Sequence, residues 1–370
     1  MRILFLYLKA FSLTGGIEKF NRCFLKALHE LSVDGLLDAE AFSSYDTVAD
    51  EKYFPRKRFK GFGGNKILFA FSAIKKSLSM QTIVLGHINL AVIGVVAKKI
   101  KPSIKLVIIL HGIEAWKTQL GNKKKVLELA DIILCVSNFT KNTTLEFNPS
   151  IKEDRISIFP NTIDPYFKLP TNFDKPQYLL DRYKLQKNTQ VLLTVTRLSF
   201  SEKYKGYDST ISVIHNLSIT SNKTIKYLIC GKGDDKENAR IEKLIKDNNA
   251  NENIILTGFV KENELNDHYL LADVFVMPSK KEGFGIVFIE AMACGIKVIA
   301  GNKDGSVDAL LNGELGTLIN PDNEEELLAA LNIALQGKAI NGKALQEKVM
   351  QVFGFEHYKQ RLKTYLSEIA

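Results

Sequence analysis

Short runs of Val, Ile, Leu and Phe, each followed by a longer stretch with helical spacing of its apolar residues, alternate along the whole chain. Strands separated by helices pair in parallel through crossovers, so this alternation points to doubly wound α/β sheets. In the first half the expected strands are 2–8, 39–43, 82–85, 105–110, 132–136 and 155–159. In the second they are 190–195, 225–230, 253–256, 274–277, 297–300 and 316–319. A chain of 370 residues exceeds what one hydrophobic core usually serves, which makes two domains the expectation. Pro165, Pro170 and Pro176 interrupt any regular element between them, and the division expected there is 1–169 and 170–352, with a last helix in 353–370.

Charge is unevenly spread. Residues 1–170 hold 25 Lys and Arg against 15 Asp and Glu, while the remainder holds 25 against 26. The basic residues concentrate at 53–60, at Lys98, Lys99 and Lys101, and at Lys123–Lys125. A lysine run is most often a solvated face, and we read the Lys123 run that way. In 53–60 aromatics interleave the cations ahead of Gly61-Phe62-Gly63-Gly64, expected as a mobile hinge; this suits docking on an anionic membrane surface. The basic residues form no nucleic-acid recognition motif, which argues against a nucleic-acid partner. Cys23, Cys135, Cys230 and Cys294 are scattered and read as reduced core residues. No stretch reads as a membrane span or a cleavable signal, so a cytoplasmic location is expected, peripheral on the membrane at most.

The densest chemistry lies in Glu282-Gly283-Phe284-Gly285-Ile286-Val287-Phe288-Ile289-Glu290. The apolar run 274–277 stops at Pro278 and a helix opens after the Gly-Phe-Gly turn, which puts Glu282 in a strand-to-helix loop. Glycines 283 and 285 let the backbone approach a ligand, and the N–H groups of the first helical turn, from Phe284, Gly285, Ile286 and Val287, form an anion site suited to a diphosphate. Glu290 can accept from ribose hydroxyls, and Glu282 from hydroxyls of a transferred sugar. The alternative is a pair of solvated glutamates at a helix end.

The segment PSKKEGFGIVFIEAMACG, from Pro278 to Gly295, resembles the donor-binding signature of the retaining glycosyltransferases of family 4. The similarity runs from Thr14-Gly15-Gly16 through Pro160-Asn161 and Arg197-Leu198 to the last helix. It implies the GT-B architecture: two Rossmann-like doubly wound parallel-sheet domains facing across a cleft, the acceptor on the first and the nucleotide sugar on the second. The last helix is then expected to pack back on the first domain. It also implies transfer of a hexose-type sugar from a nucleoside-diphosphate donor to an acceptor, with no cofactor; no D-x-D spacing stands in a convincing loop, Asp234-Asp235 reading as a turn, so no metal is expected. The acceptor would be a saccharide or lipid-linked saccharide of cell-surface polysaccharide, lipopolysaccharide or glycolipid synthesis.

Roles follow residue by residue. Gly15 and Gly16 match the family's phosphate-facing loop, though two glycines alone could be a tight turn. Arg197 and Lys205 match the cations that stabilise the leaving diphosphate; the loop is longer by two than the usual spacing, which keeps Lys203 as a rival. His111-Gly112 matches a histidine that contacts the transferred sugar, and Glu114 beside it could orient an acceptor or simply charge a helix start. Gly231, in Cys230-Gly231-Lys232-Gly233, and Val260, in Gly258-Phe259-Val260, match donor-positioning turns. Thr162 stands where the family has glycine, Lys297 where it has proline, and 301–308 replaces the commoner Gly-Gly and Glu. An epimerase or phosphorylase of the same fold, or a sugar-nucleotide-binding protein without catalysis, stay open as alternatives. A nicotinamide dehydrogenase is disfavoured because G-x-G-x-x-G is missing.

Overall fold

The computed structural model describes residues 1–12, 14–221, 223–337 and 341–369. Two compact units divide the chain: Met1–Pro165 with the segment from Phe353 onward, and Tyr166–Val352. In the first, β1 (Arg2–Tyr7), β2 (Asp38–Ser43), β3 (Phe59–Gly61), β4 (Thr82–Leu85), β5 (Lys105–Leu110), β6 (Ile132–Cys135) and β7 (Ile156–Ile158) form one parallel sheet in the order β3-β2-β1-β4-β5-β6-β7. In the second, β8 (Gln190–Val195), β9 (Ile225–Cys230), β10 (Ile254–Gly258), β11 (Val274–Met277), β12 (Lys297–Gly301) and β13 (Thr317–Ile319) follow the order β10-β9-β8-β11-β12-β13. These are two Rossmann-like parallel sheets, the α/β architecture expected.

Continuous apolar strands explain the parallel pairing. Ile3 to Tyr7 are wholly buried because helices cover both faces of the sheet, so every residue of β1 is core whichever way it points. The helix Gly16–Val33 is amphipathic instead, burying Phe20, Phe24, Leu28 and Leu31. At the far end of the chain, the helix Phe355–Ser367 buries Phe355, Tyr358, Leu362 and Leu366 within the first unit. Tyr358 packs on Phe159 with ring centroids 4.4 Å apart, and Lys359 pairs with Glu30 at 2.7 Å. Thr162 has its own purpose there: its hydroxyl donates to the Phe353 carbonyl at 2.8 Å, a bond glycine could not make. Lys297 likewise reaches the Ala334 carbonyl at 2.6 Å. All four cysteines are buried and none is joined in a disulfide.

One segment departs from its expected use. Tyr53 and Phe54 are core residues, and the Tyr53 hydroxyl donates to Asp164 at 2.7 Å. Phe59 to Gly61 form the edge strand β3, paired with β2. The aromatics of 53–60 therefore hold the chain to its own sheet and do not present a docking face. Gly61-Phe62-Gly63-Gly64 is a hydrogen-bonded turn, with Phe62 N–H on Ser43 O at 3.1 Å and Gly64 N–H on Ser44 O at 2.8 Å. A Cβ at Gly61 would stand 2.3 Å from the Asp46 carbonyl, so this glycine serves close packing and not a hinge.

Candidate active site

Strand order reverses between β8 and β11 in the second sheet, and ligands of such sheets sit beyond the carboxyl ends of the strands at that point. The two loops leaving β8 and β11 touch there. Gly206 has φ +81°, and a Cβ on it would lie 2.2 Å from the Pro278 carbonyl; the Lys280 N–H donates to the Tyr204 carbonyl at 2.8 Å. Only glycine allows that approach, and it seats the preceding residue, Lys205, against the β11 loop. The Lys205 ammonium is ion-paired with Glu282, both side chains being mostly buried. Lys203 points elsewhere, its ammonium 3.9 Å from the centre of the Phe200 ring. Arg197, also beyond β8, is exposed and paired with Glu202 in its own loop, so no direct contact joins it to the Lys205–Glu282 pair.

Beyond Glu282 the chain turns through Gly283 and the buried Phe284 into Gly285, whose φ of +89° opens the helix Ile286–Ala293. A Cβ at 285 would meet the Phe288 ring at 2.4 Å. The N–H groups of Ile286 and Val287 fall in the first turn, where an α-helix supplies no carbonyl to receive them and the dipole favours an anion. Glu290, one turn on, is buried and accepts from the Tyr269 hydroxyl at 2.9 Å. Burial, with Glu290 beside it, holds that phenol well above the ordinary tyrosine range. Gly231 lies against the end of β8, where a Cβ would strike the Thr196 carbonyl at 1.9 Å, and Val260 follows β10 part-buried. Gly231, Val260, Lys205, Glu282 and the 283–287 turn thus all lie beyond the carboxyl ends of strands in one sheet.

The first sheet reverses between β1 and β4. The loop after β1 leads to Gly15, the N-cap of the helix Gly16–Val33, whose Cβ would be 2.4 Å from the Glu18 carboxylate; nothing lies within 4 Å of one on Gly16. Asp46, buried, accepts from the N–H groups of Ala10, Phe11 and Ser12 at 2.7, 3.1 and 2.9 Å and so shapes this loop. His111, just past β5, has Nε2 2.9 Å from the Gly86 carbonyl. A carbonyl only accepts, so Nε2 carries the proton and Nδ1 is left as an acceptor. Burial pushes His111 down to about 4, against the Gly86 carbonyl and Glu18, which act the other way. His87, past β4, is likewise lowered to about 4 by burial, and its ring centre stands 6.3 Å from that of His111. Glu114 accepts from the His111 N–H at 2.5 Å, so it holds the His111 loop in place.

Sequence reasoning missed Asp46, His87 and Tyr269. His87 carried a usable signal, because it follows a strand as directly as His111 does. Asp46 and Tyr269 carried none, since each acts through a partner dozens of residues or a helix away. Among the described residues, no group of three or more His, Cys, Asp and Glu side chains is arranged to hold a metal ion.

Two family models match this chain, one described as Glycosyltransferase Family 4 over residues 14–167 and one as Glycosyl transferases group 1 over 179–349. The chain belongs to this glycosyltransferase family. A GDP-mannose-dependent alpha-(1-6)-phosphatidylinositol monomannoside mannosyltransferase of Mycolicibacterium smegmatis is 27% identical over 254 residues, 65% of this chain and 63% of that enzyme. The phosphatidylinositol N-acetylglucosaminyltransferase gpi3 subunit of Schizosaccharomyces pombe is 24% identical over 65% of this chain and 50% of its own length. The chain thus spans between half and two thirds of the length of these curated relatives. Among solved structures, Anabaena Alr3699/HepE in complex with UDP shares the fold with a TM-score of 0.80 at 19% identity, covering 100% of both chains. The fold of this glycosyltransferase family member is accordingly GT-B.

Proposed function

We propose that this family member is a retaining hexosyltransferase that moves a sugar from a nucleoside diphosphate to an acceptor hydroxyl. The observation that carries the reading is the Lys205–Glu282 pair at the β8/β11 reversal, beside the N-terminus of the helix Ile286–Ala293. As the bond to the diphosphate breaks, negative charge grows on the β-phosphate; Lys205, Arg197 and the first-turn N–H groups stabilise it most in the transition state. Glu282 accepts from hydroxyls of the transferred sugar and Glu290 from the ribose. Neutral His111 offers Nδ1 as an acceptor, the departing phosphate takes the acceptor's proton, and no metal is required. Nucleotide-sugar use is supported by the HepE structure with bound UDP and by the GDP-mannose named for the mycobacterial relative. Turnover of labelled UDP-, GDP- and ADP-sugars tests the reading: transfer to an acceptor that survives EDTA is expected, and binding without transfer would favour the non-catalytic alternative.

A second observation favours a lipid-linked acceptor at a membrane surface. The helix Lys66–Ser77 buries Phe69, Ala73 and Ser77 and turns Ile67, Leu68 and Phe71 outward at 85, 50 and 68% exposure. Exposed Lys66 and Lys75 flank them, and the Lys60 ammonium lies 5.1 Å from the Phe62 ring that packs on Phe69. An outward apolar face ringed by lysines suits the boundary of an anionic bilayer, where each cation contributes about 1 kcal/mol. Both curated relatives described above are named for phosphatidylinositol substrates. No helix among the described residues is long and apolar enough to cross a membrane. Anionic liposomes should sediment the protein at low salt, and Ile67→Ser with Phe71→Ser should release it; equal binding to neutral liposomes, or none to either, removes the membrane reading.

A further inference from the structure

Asp304 lies in the loop between β12 and the short helix Ser306–Ala309 and is wholly buried. Its Oδ2 accepts from the Glu282 N–H at 2.7 Å and from the Ser279 hydroxyl at 2.7 Å, while Oδ1 accepts from the Ser306 N–H at 2.9 Å. The next residue closes the other side, the Gly305 N–H donating to the Glu282 carbonyl at 2.8 Å. Consecutive residues of one loop therefore hold both main-chain polar groups of Glu282. The grip is tight, because a Cβ on Gly305 would stand 2.1 Å from the Gly283 carbonyl. Burial raises the Asp304 carboxyl to about 6, which leaves it ionised at neutral pH, accepting through both oxygens.

We infer that Asp304 is a positioning residue for Glu282, clamping its peptide so that the side chain faces Lys205 and a bound donor. The inference rests on the reading that Glu282 serves the transferred sugar. The chemistry of the clamp demands a carboxylate. Both oxygens accept from backbone N–H groups, so an amide at 304 turns its NH₂ toward one of them in either orientation and leaves that N–H facing a donor. Asp304→Asn should thus disturb the loop without changing its volume. Asp304→Gly, which restores the Gly-Gly commoner in the family, removes all three bonds and is the second variant should the amide fail to fold.

The test is a double-mutant cycle with Glu282→Ala, read as kcat and KM on the sugar nucleotide found by the donor screen, beside calorimetric titration with the matching free nucleoside diphosphate. Alone, either Asp304 variant should lower kcat about tenfold or more and leave diphosphate affinity nearly unchanged. In the Glu282→Ala background the same change should cost little further, because residues acting through one group are non-additive. Equal losses in both backgrounds would overturn the positioning role. A Glu282→Ala protein with full turnover would instead overturn the reading of Glu282 on which the inference stands.

Discussion

The β8/β11 reversal and the β1/β4 reversal occupy the same place in two sheets of the same order, yet they carry opposite chemistry. At the first, a lysine and a glutamate are paired, with a helix N-terminus beside them. At the second, two histidines are held neutral by burial, and the buried anion Asp46, from the loop after β2, is occupied by three backbone N–H groups. Topology thus supplies a location, and loop residues decide what it can bind. The charged reversal suits phosphate, where charge develops during transfer; the neutral one suits hydroxyls, which need aligned donors and acceptors more than a field.

The largest effect that would break this comparison is on turnover. Lys205→Ala and Arg197→Ala should each lower kcat about 10²-fold or more. Lys203→Ala, which loses a contact to Phe200, should stay near wild type. A larger loss for Lys203 would place the phosphate cation on the other side of the loop. Next in size, Glu290→Ala should weaken nucleotide binding about tenfold, because losing charge-assisted bonds to a ribose costs about 1.5–3 kcal/mol; calorimetry showing no change would remove Glu290 from the nucleotide.

The smallest effect concerns acid, and it has opposite sign in the two regions. His87 and His111 bind protons near 6.5 in the unfolded chain and only near 4 when folded, so the unfolded state holds more protons between those values and stability falls as pH drops through them. Asp304 runs the other way: its folded value of about 6 exceeds the ordinary 3.8, so acidification through that window is stabilising. Trp116, the chain's one tryptophan, lies in the first unit and reports on it. Its urea midpoint should fall between pH 7 and 5, and His87→Asn should flatten the fall. An unaltered slope would mean the histidines are not held neutral.

Much of this was legible in the sequence because it is local. The strands at 82–85, 105–110, 190–195, 225–230 and 274–277 end where their apolar runs end, and Gly285 is where a turn must take a positive φ. What was not legible depends on distant partners. β3 is three residues whose strand character comes from pairing with β2, and the aromatics ahead of it, Tyr53 and Phe54, looked like a surface segment although they are core. The segment 301–308 looked like a departure from a family pattern, whereas Asp304 uses that departure to hold a peptide 22 residues away. Nor does spacing along the chain show that Gly206 meets Pro278, the contact that seats Lys205 against the β11 loop.

The most direct test is Glu282→Ala, comparing dissociation constants for the free nucleoside diphosphate with kcat for sugar transfer. In the folded protein Glu282 neutralises Lys205, so its removal frees that cation for phosphate. The account predicts that diphosphate affinity holds or tightens while turnover falls about 10²-fold, since only the sugar loses a partner. Diphosphate affinity falling in step with turnover would place Glu282 on the nucleotide and contradict the division of labour at this site.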